Sequence, residues 1–277
     1  MFWEIFWTVI GIIVAIVVLL GVLYMCVLVR PRARKPRLRI LLCNYAHRGL
    51  HDKSAPENSL AAFELACKAH FGIELDVQLS YDGQVMVFHD DTLLRMTGCK
   101  NRVREVKAED LKKLSLAGTK YTIPTLEEVL ELVNCRVPLL IELKGEDLDV
   151  EICEKVANIL EKYPGAYCIE SFNPLLLHEM RQYLPQAFYG QLYTNVCRDK
   201  KKKSLLNMLL TAMAFNFLSK PDFIAYNQED RDAFPVRVAT ELYHAHRFTW
   251  TVRSYEEIKL AHELGECAIF EREEKKQ

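Results

Sequence analysis

The hydrophobic pattern divides the chain in two. Its first apolar run, Ile5 to Val29, is 25 residues without a charged side chain. As a helix rising about 1.5 Å per residue it is long enough to cross a hydrocarbon core of about 30 Å with some tilt, so residues 5–29 are predicted to span a membrane. A secretory signal has a positively charged start and a shorter apolar region. Here the start carries only the terminal amine and Glu4, and the span is expected to stay uncleaved. Trp3, Trp7 and Tyr24 lie near its two ends, where amphipathic rings prefer the interface.

From residue 40 onward, short apolar runs alternate with amphipathic stretches. Strands are predicted at 40–46, 72–78, 84–88, 139–143, 167–171, 188–193, 223–226, 247–252 and 267–270. Helices are predicted between them, at 59–70, 125–134, 150–162, 174–183, 204–218, 236–244 and 255–264. Repeated strand then helix argues a parallel sheet. One strand is surplus to eight; 84–88, reached through the turn-like Tyr81, Asp82 and Gly83, is expected to extend the second unit as a hairpin. Eight units remain, the count of a closed α/β barrel, for which about 250 residues suffice. Residues 91–122 break the alternation and are read as a small insertion over the barrel mouth. Thr125 then opens a helix with Glu128 three positions on, a capping box.

Charge sharpens this division. The net charge of −1 hides six basic residues between Arg30 and Arg39; without these and Glu4, 30 Lys and Arg face 36 Asp and Glu, leaving the body at −6. The basic linker 30–39 reads as a stop-transfer flank, which places residues 40–271 on the cytoplasmic side by the positive-inside rule and can also hold anionic headgroups. An acidic body offers no footprint for nucleic acid. Nine cysteines without a close C-x-x-C pair support neither a zinc nor a redox motif, and reduced, mostly buried thiols are expected.

The candidate chemistry is concentrated between His47 and His89, with a later contribution from Glu142 and Lys144. In a barrel, working residues stand at the C-terminal strand ends. Side chains alternate along a strand, so Glu74 and Asp76 share one face, as do Glu142 and Lys144. Three carboxylates on one rim suit a hard, oxygen-seeking cation such as Ca2+ or Mg2+. Without a cation or a lysine they would repel one another.

These residues, with their spacing, resemble the glycerophosphodiester phosphodiesterase domain family. The matching residues include His47-Arg48-Gly49, Pro56-Glu57-Asn58-Ser59, Glu74, Asp76, Asp82-Gly83, His89-Asp90, Ile123-Pro124-Thr125-Leu126, Glu142, Lys144, Ser171-Phe172 and Trp250-Thr251-Val252, in order over about 42–270. The resemblance implies a TIM-type (β/α)8 barrel and metal-dependent cleavage of a phosphodiester. It further implies that Glu74, Asp76 and Glu142 hold the metal and that His47 and His89 serve as acid and base, with His89 assigned as base. Arg48 and Lys144 would meet the phosphate, and Phe172 and Trp250 would line the glycerol or headgroup pocket.

The expected substrate is a glycerophosphodiester or a lysophospholipid, with membrane lipid as the partner of the anchor. A sphingomyelinase D-like lipase and a catalytically silent lipid- or phosphate-binding barrel are the alternatives. Two features stand apart. The chain closes on Ala268-Ile269-Phe270-Glu271 and a charged tail, 272–277, where the family has a Thr-Asp pair and a proline, so stability or pocket shape is expected to suffer before catalysis. Lys200 to Lys203 precede a run from Leu205 to Leu218 that is apolar around most of a helix; it is either a buried barrel helix or a surface for the bilayer or an acyl chain.

Overall fold

The computed structural model describes residues 1–145 and 149–272, so most of the tail lies outside the described residues. Nine strands form one sheet among them: β1 (Tyr45–Ala46), β2 (Gly72–Leu79), β3 (Val85–Val87), β4 (Leu139–Leu143), β5 (Tyr167–Ser171), β6 (Phe188–Tyr193), β7 (Phe223–Asn227), β8 (His246–Val252) and β9 (Cys267–Phe270). Their order is β1-β9-β8-β7-β6-β5-β4-β2-β3, and β1 also pairs with β2. That last pairing closes the sheet into a barrel. Eight strands run parallel, while β3 pairs antiparallel with β2, as the surplus strand was expected to do.

The first predicted strand is mostly something else. Only Tyr45 and Ala46 pair, and Arg39–Leu41 form a 3-10 turn. Leu41 is buried beneath the barrel with Tyr45, Phe223 and Phe248, and the Tyr45 hydroxyl donates to the Leu41 carbonyl at 2.9 Å. Leu41 thus plugs the barrel floor, whereas its neighbours Ile40 and Leu42 are exposed.

Two predicted helices are also divided. The segment 204–218 becomes Leu205–Thr211 and Asn216–Ser219, separated by Met213 at φ +50°. The break positions Asn216, which is buried and donates from Nδ2 to the Val29 carbonyl. The segment 236–244 becomes Phe234–Arg237 and a wider π turn, Val238–Leu242. By contrast the helix Leu126–Val133 begins as read, with Thr125 and Glu128 bonding to each other's backbone N–H.

The insertion is a set of short turns with its own small core. Leu93, Met96, Val103, Leu111 and Leu116 pack on Met86 and Phe88, beside β3. It therefore stands on the barrel rim without altering the sheet.

At the N-terminus a helix runs over Phe2–Leu23 and continues as a π turn, Tyr24–Leu28. None of the helix Phe2–Leu23 is buried, whereas Val29 is fully buried among Tyr193, Ile224 and Tyr226. The following basic linker is engaged by the barrel. Arg32 makes two bonds, of 2.8 and 2.9 Å, to the buried Asp222 carboxylate, and Arg34 donates to the Gln186 and Ala187 carbonyls. These partners lie at the N-terminal ends of β6 and β7. Arg32 and Arg34 thus serve the barrel floor, which is not the headgroup-holding role considered for the linker.

Candidate active site

The opposite, C-terminal ends of the strands enclose a cavity of about 440 Å³ lined in part by His47, Arg48, Glu74, His89, Glu142 and Lys144. His47 follows β1, and its N–H donates to the Phe270 carbonyl at 2.8 Å. Arg48 and Gly49 then turn with φ of +54° and +82°. A Cβ on Gly49 would approach the Ala62 backbone to 2.9 Å, so both backbone conformation and space call for glycine. The same turn brings the Arg48 N–H to 2.7 Å from Glu74 Oε2.

Glu74 and Asp76 stand on β2, and Glu142 on β4 directly beside Asp76. Each of the three can offer an oxygen within 4.8 Å of the others, and all are buried. Lys144 Nζ lies 3.0 Å from Asp76 Oδ1 and 2.6 Å from Glu142 Oε1, while Asn58 Nδ2 donates to Asp76 Oδ2 at 2.8 Å. The electrostatic balance is uneven. Burial disfavours charge on Asp76, yet Lys144, His89 and Arg48 hold its carboxyl below the ordinary range. Burial, then the charge of Asp76 and Glu142, pushes Glu74 well above it. Burial raises Glu142 to about 7 against the pull of Lys144.

Glu170, beside Glu142 on β5, is also buried, and its Oε2 has no hydrogen-bond partner among the described residues. One lysine and one arginine therefore leave this carboxylate group short of positive charge. An all-oxygen donor set with that deficit fits a hard divalent cation, with Glu74, Asp76 and Glu142 as the residues that would hold it.

Each histidine rests on its own carboxylate. His47 Nδ1 is 2.7 Å from Glu271 Oε1, and Arg253 holds the other Glu271 oxygen at 2.8 Å. His89 Nδ1 is 2.7 Å from Asp90 Oδ1, and Arg95 forks between Asp90 and Glu57, which also accepts from Arg48. With Nδ1 occupied, Nε2 of each ring is left for chemistry. Burial lowers both histidine pKa values, while Glu271 and Asp90 oppose that effect. Their bonds to histidine and arginine hold the Glu271 and Asp90 carboxyls at about 2, despite burial.

The far wall is apolar. Phe172 and Trp250 meet edge to face at 5.7 Å, and the indole N–H donates to the Ala225 carbonyl. Phe172 and Leu192 also border a second cavity, of about 210 Å³, lined by Leu210, Met213 and Phe215.

All nine residues singled out in the sequence thus border or support one cavity. Lys144 is engaged by Asp76 and Glu142, so it serves the carboxylates at least as directly as it could serve a phosphate. Glu271 was missed as a site residue: the divergent chain end was expected to affect stability first, but it reaches His47. Its signal was position, one residue beyond the strand that pairs with β1. Glu57 and Asn58 were visible within the Pro-Glu-Asn-Ser motif without an assigned contact. Arg95 had no signal, because its place depends on how the insertion folds.

A family model described as the glycerophosphoryl diester phosphodiesterase family matches residues 47–271. A glycerophosphodiester phosphodiesterase of Bacillus subtilis (strain 168) is 31% identical over 211 residues, covering 67% of this chain and 70% of that protein. Human glycerophosphodiester phosphodiesterase 1 is 34% identical over 162 residues, covering 53% and 47%. The chain spans 61%, 65% and 47% of the lengths of three bacterial relatives matched at 39–40% identity.

Among solved structures, the Thermotoga maritima glycerophosphodiester phosphodiesterase is similar with a TM-score of 0.63 and 26% identity, over 83% of this chain and 94% of that one. An Oleispira antarctica phosphodiesterase, solved with the product sn-glycerol-3-phosphate, has the same fold at a TM-score of 0.67 and 24% identity, over 83% and 92%.

Proposed function

Because this chain belongs to the glycerophosphoryl diester phosphodiesterase family, we propose that it hydrolyses glycerophosphodiesters or lysophospholipids. The products are an alcohol headgroup and glycerol 3-phosphate or lysophosphatidic acid. The observation that carries this reading is the cavity itself, where three buried carboxylates stand between two histidines, each held on its own acidic partner.

Glu74, Asp76 and Glu142 would hold a divalent metal, Ca2+ or Mg2+, which when bound would neutralise charge on the phosphoryl oxygens. Arg48 and Lys144 add positive charge beside the phosphate. His89, kept neutral by burial and oriented by Asp90, accepts the proton of the nucleophile. His47 returns a proton to the leaving alkoxide; the arriving phosphate anion and Glu271 both favour its protonated form. Phe172 and Trp250 pack against the glycerol or headgroup.

The lysophospholipid reading is supported by the apolar cavity that shares Phe172 and Leu192 with the site, which is suited to an acyl chain. The organisation that fits this role is an anchor at 5–29, a linker at 30–39, a catalytic barrel at 40–271 and a tail at 272–277. The barrel lies on the cytoplasmic side, and the anchor's partner is membrane lipid.

The test is choline release from glycerophosphocholine and from lysophosphatidylcholine by the full chain, with Mg2+, Ca2+ or chelator, beside His89→Ala. Metal-dependent release that the substitution abolishes is expected. Release that persists unchanged in chelator and in His89→Ala would refute the mechanism.

A further inference from the structure

The direction in which the anchor helix leaves the barrel can be read from its contacts. Strands rise toward the catalytic face, and the helices that follow them descend. Phe234 begins such a descending helix, and the ring of Tyr24 stacks on it at 6.3 Å; the Tyr24 hydroxyl donates to the Ala212 carbonyl. Val29 lies lower, bonded by Asn216, and Arg32 reaches Asp222 at the barrel floor. From Arg32 back to Tyr24 the chain therefore climbs the barrel wall. Tyr243, at the lower end of that descending helix, donates to the Met25 carbonyl, and the exposed helix Phe2–Leu23, extended along the same line beyond Tyr24, leads toward the catalytic side.

The same edge carries an unusual surface. The segment after β6 leaves the catalytic face through Lys200–Lys203 and enters the helix Leu205–Thr211. Leu205, Leu206 and Met208 are 73%, 57% and 54% exposed there, and Phe234, beside Tyr24, is 64% exposed. Large apolar side chains flanked by lysines, next to an anchor helix, complement a bilayer with anionic headgroups and need no protein partner.

We propose that the catalytic face of the barrel is itself a membrane-docking surface, with Lys200–Lys203 on anionic headgroups and Leu205, Leu206, Met208 and Phe234 in the interface. The mouth then opens against the bilayer. The cavity behind Phe172 and Leu192, whose lining includes Lys200 and Leu210, lies on the same side, so a lipid substrate need not cross water to reach it. This inference rests on residues 5–29 being a membrane span.

The test uses the full chain reconstituted in phosphatidylcholine vesicles with and without phosphatidylserine. Lysines are modified with a membrane-impermeant amine reagent and read by mass spectrometry. Lys68 ends one descending helix and Lys162 follows another, both at the opposite face, and they serve as controls. Lys200–Lys203 are expected to react several-fold more slowly than the controls, and more slowly still with phosphatidylserine. Equal reactivity, or protection of Lys68 and Lys162 instead, would overturn the proposal.

In the double variant Leu206→Glu, Met208→Glu the protection should be lost and release from lysophosphatidylcholine in vesicles should fall several-fold, with glycerophosphocholine release unchanged. An equal fall on both substrates would assign these residues to barrel packing and reject docking. A wild-type protein inactive on both substrates would defeat the phosphodiesterase reading, while the labelling pattern would still decide the orientation.

Discussion

The two halves of the barrel mouth are built from different materials. β1 to β4 and the residues just after them carry charge: His47, Glu74, Asp76, His89, Glu142 and Lys144, cross-linked in part by ion pairs of 2.6 to 3.0 Å around Lys144. Phe172, just after β5, with Leu192 on β6 and Trp250 on β8, forms the other half, held by ring packing and a single indole bond. A buried charged site requires a partner for almost every atom, so its residues are strongly specified. An apolar wall requires only volume and tolerates change more readily. The charged half is therefore expected to determine the reaction and the apolar half the choice of substrate.

The largest expected effect tests the charged half. His89→Ala should lower kcat by about 10²–10⁴ on soluble and lipid substrates alike. A loss confined to one substrate would show that His89 recognises a group rather than moving a proton. Glu142→Gln should abolish high-affinity metal binding measured by calorimetry and reduce activity about as severely. Retained binding with wild-type affinity would remove Glu142 from the ligand set.

Glu271 tests whether the division is complete, since it follows β9 and belongs to neither group of strands. Glu271→Ala should cost about 10- to 100-fold in kcat with little change in KM, as expected for a carboxylate that orients a working histidine. A change in KM alone would make Glu271 part of the pocket wall.

Phe172→Ala addresses the apolar half and should weaken use of lysophosphatidylcholine by about tenfold relative to glycerophosphocholine. If both substrates suffer equally, the aromatic wall serves the shared glycerol instead.

The smallest effect concerns pH. Asp90 and Glu271 have folded-state pKa values of about 2, below their ordinary values of 3.8 and 4.5. Their contribution to stability is present above those ordinary values and is lost as pH falls through about 4.5 toward 2. Denaturant melts of Asp90→Asn, Glu271→Gln should show a shallower loss across this window than the wild type; identical slopes would exclude these ion pairs as the source.

The eight-unit barrel was legible because alternating apolar runs and amphipathic helices report burial directly. The carboxylates and histidines were legible because their motifs are local: Glu74 and Asp76 share a strand, and His89 adjoins Asp90. Three features were hidden for physical reasons. The apolar run 40–46 carries the same burial signal whether it forms a strand or a floor plug, and Leu41 does the latter. The break within 204–218 depends on Asn216 finding Val29, a contact 187 residues away in sequence. Glu271 read as part of a divergent end because its partner His47 lies at the other edge of the seam.

That seam has a consequence for synthesis. The bond between His47 and Glu271 joins residues 224 positions apart, and the β1–β9 pairing that brings them together is made only when both exist. The apolar helix Phe2–Leu23 and His47 emerge early, whereas Glu271 is the last part of the site to be translated. A chain interrupted anywhere between Lys144 and Cys267 would already contain both histidines and all three carboxylates, yet have neither a closed barrel nor a carboxylate on His47 Nδ1. The closed barrel and the carboxylate that holds His47 Nδ1 are thus complete only once translation has passed residue 271.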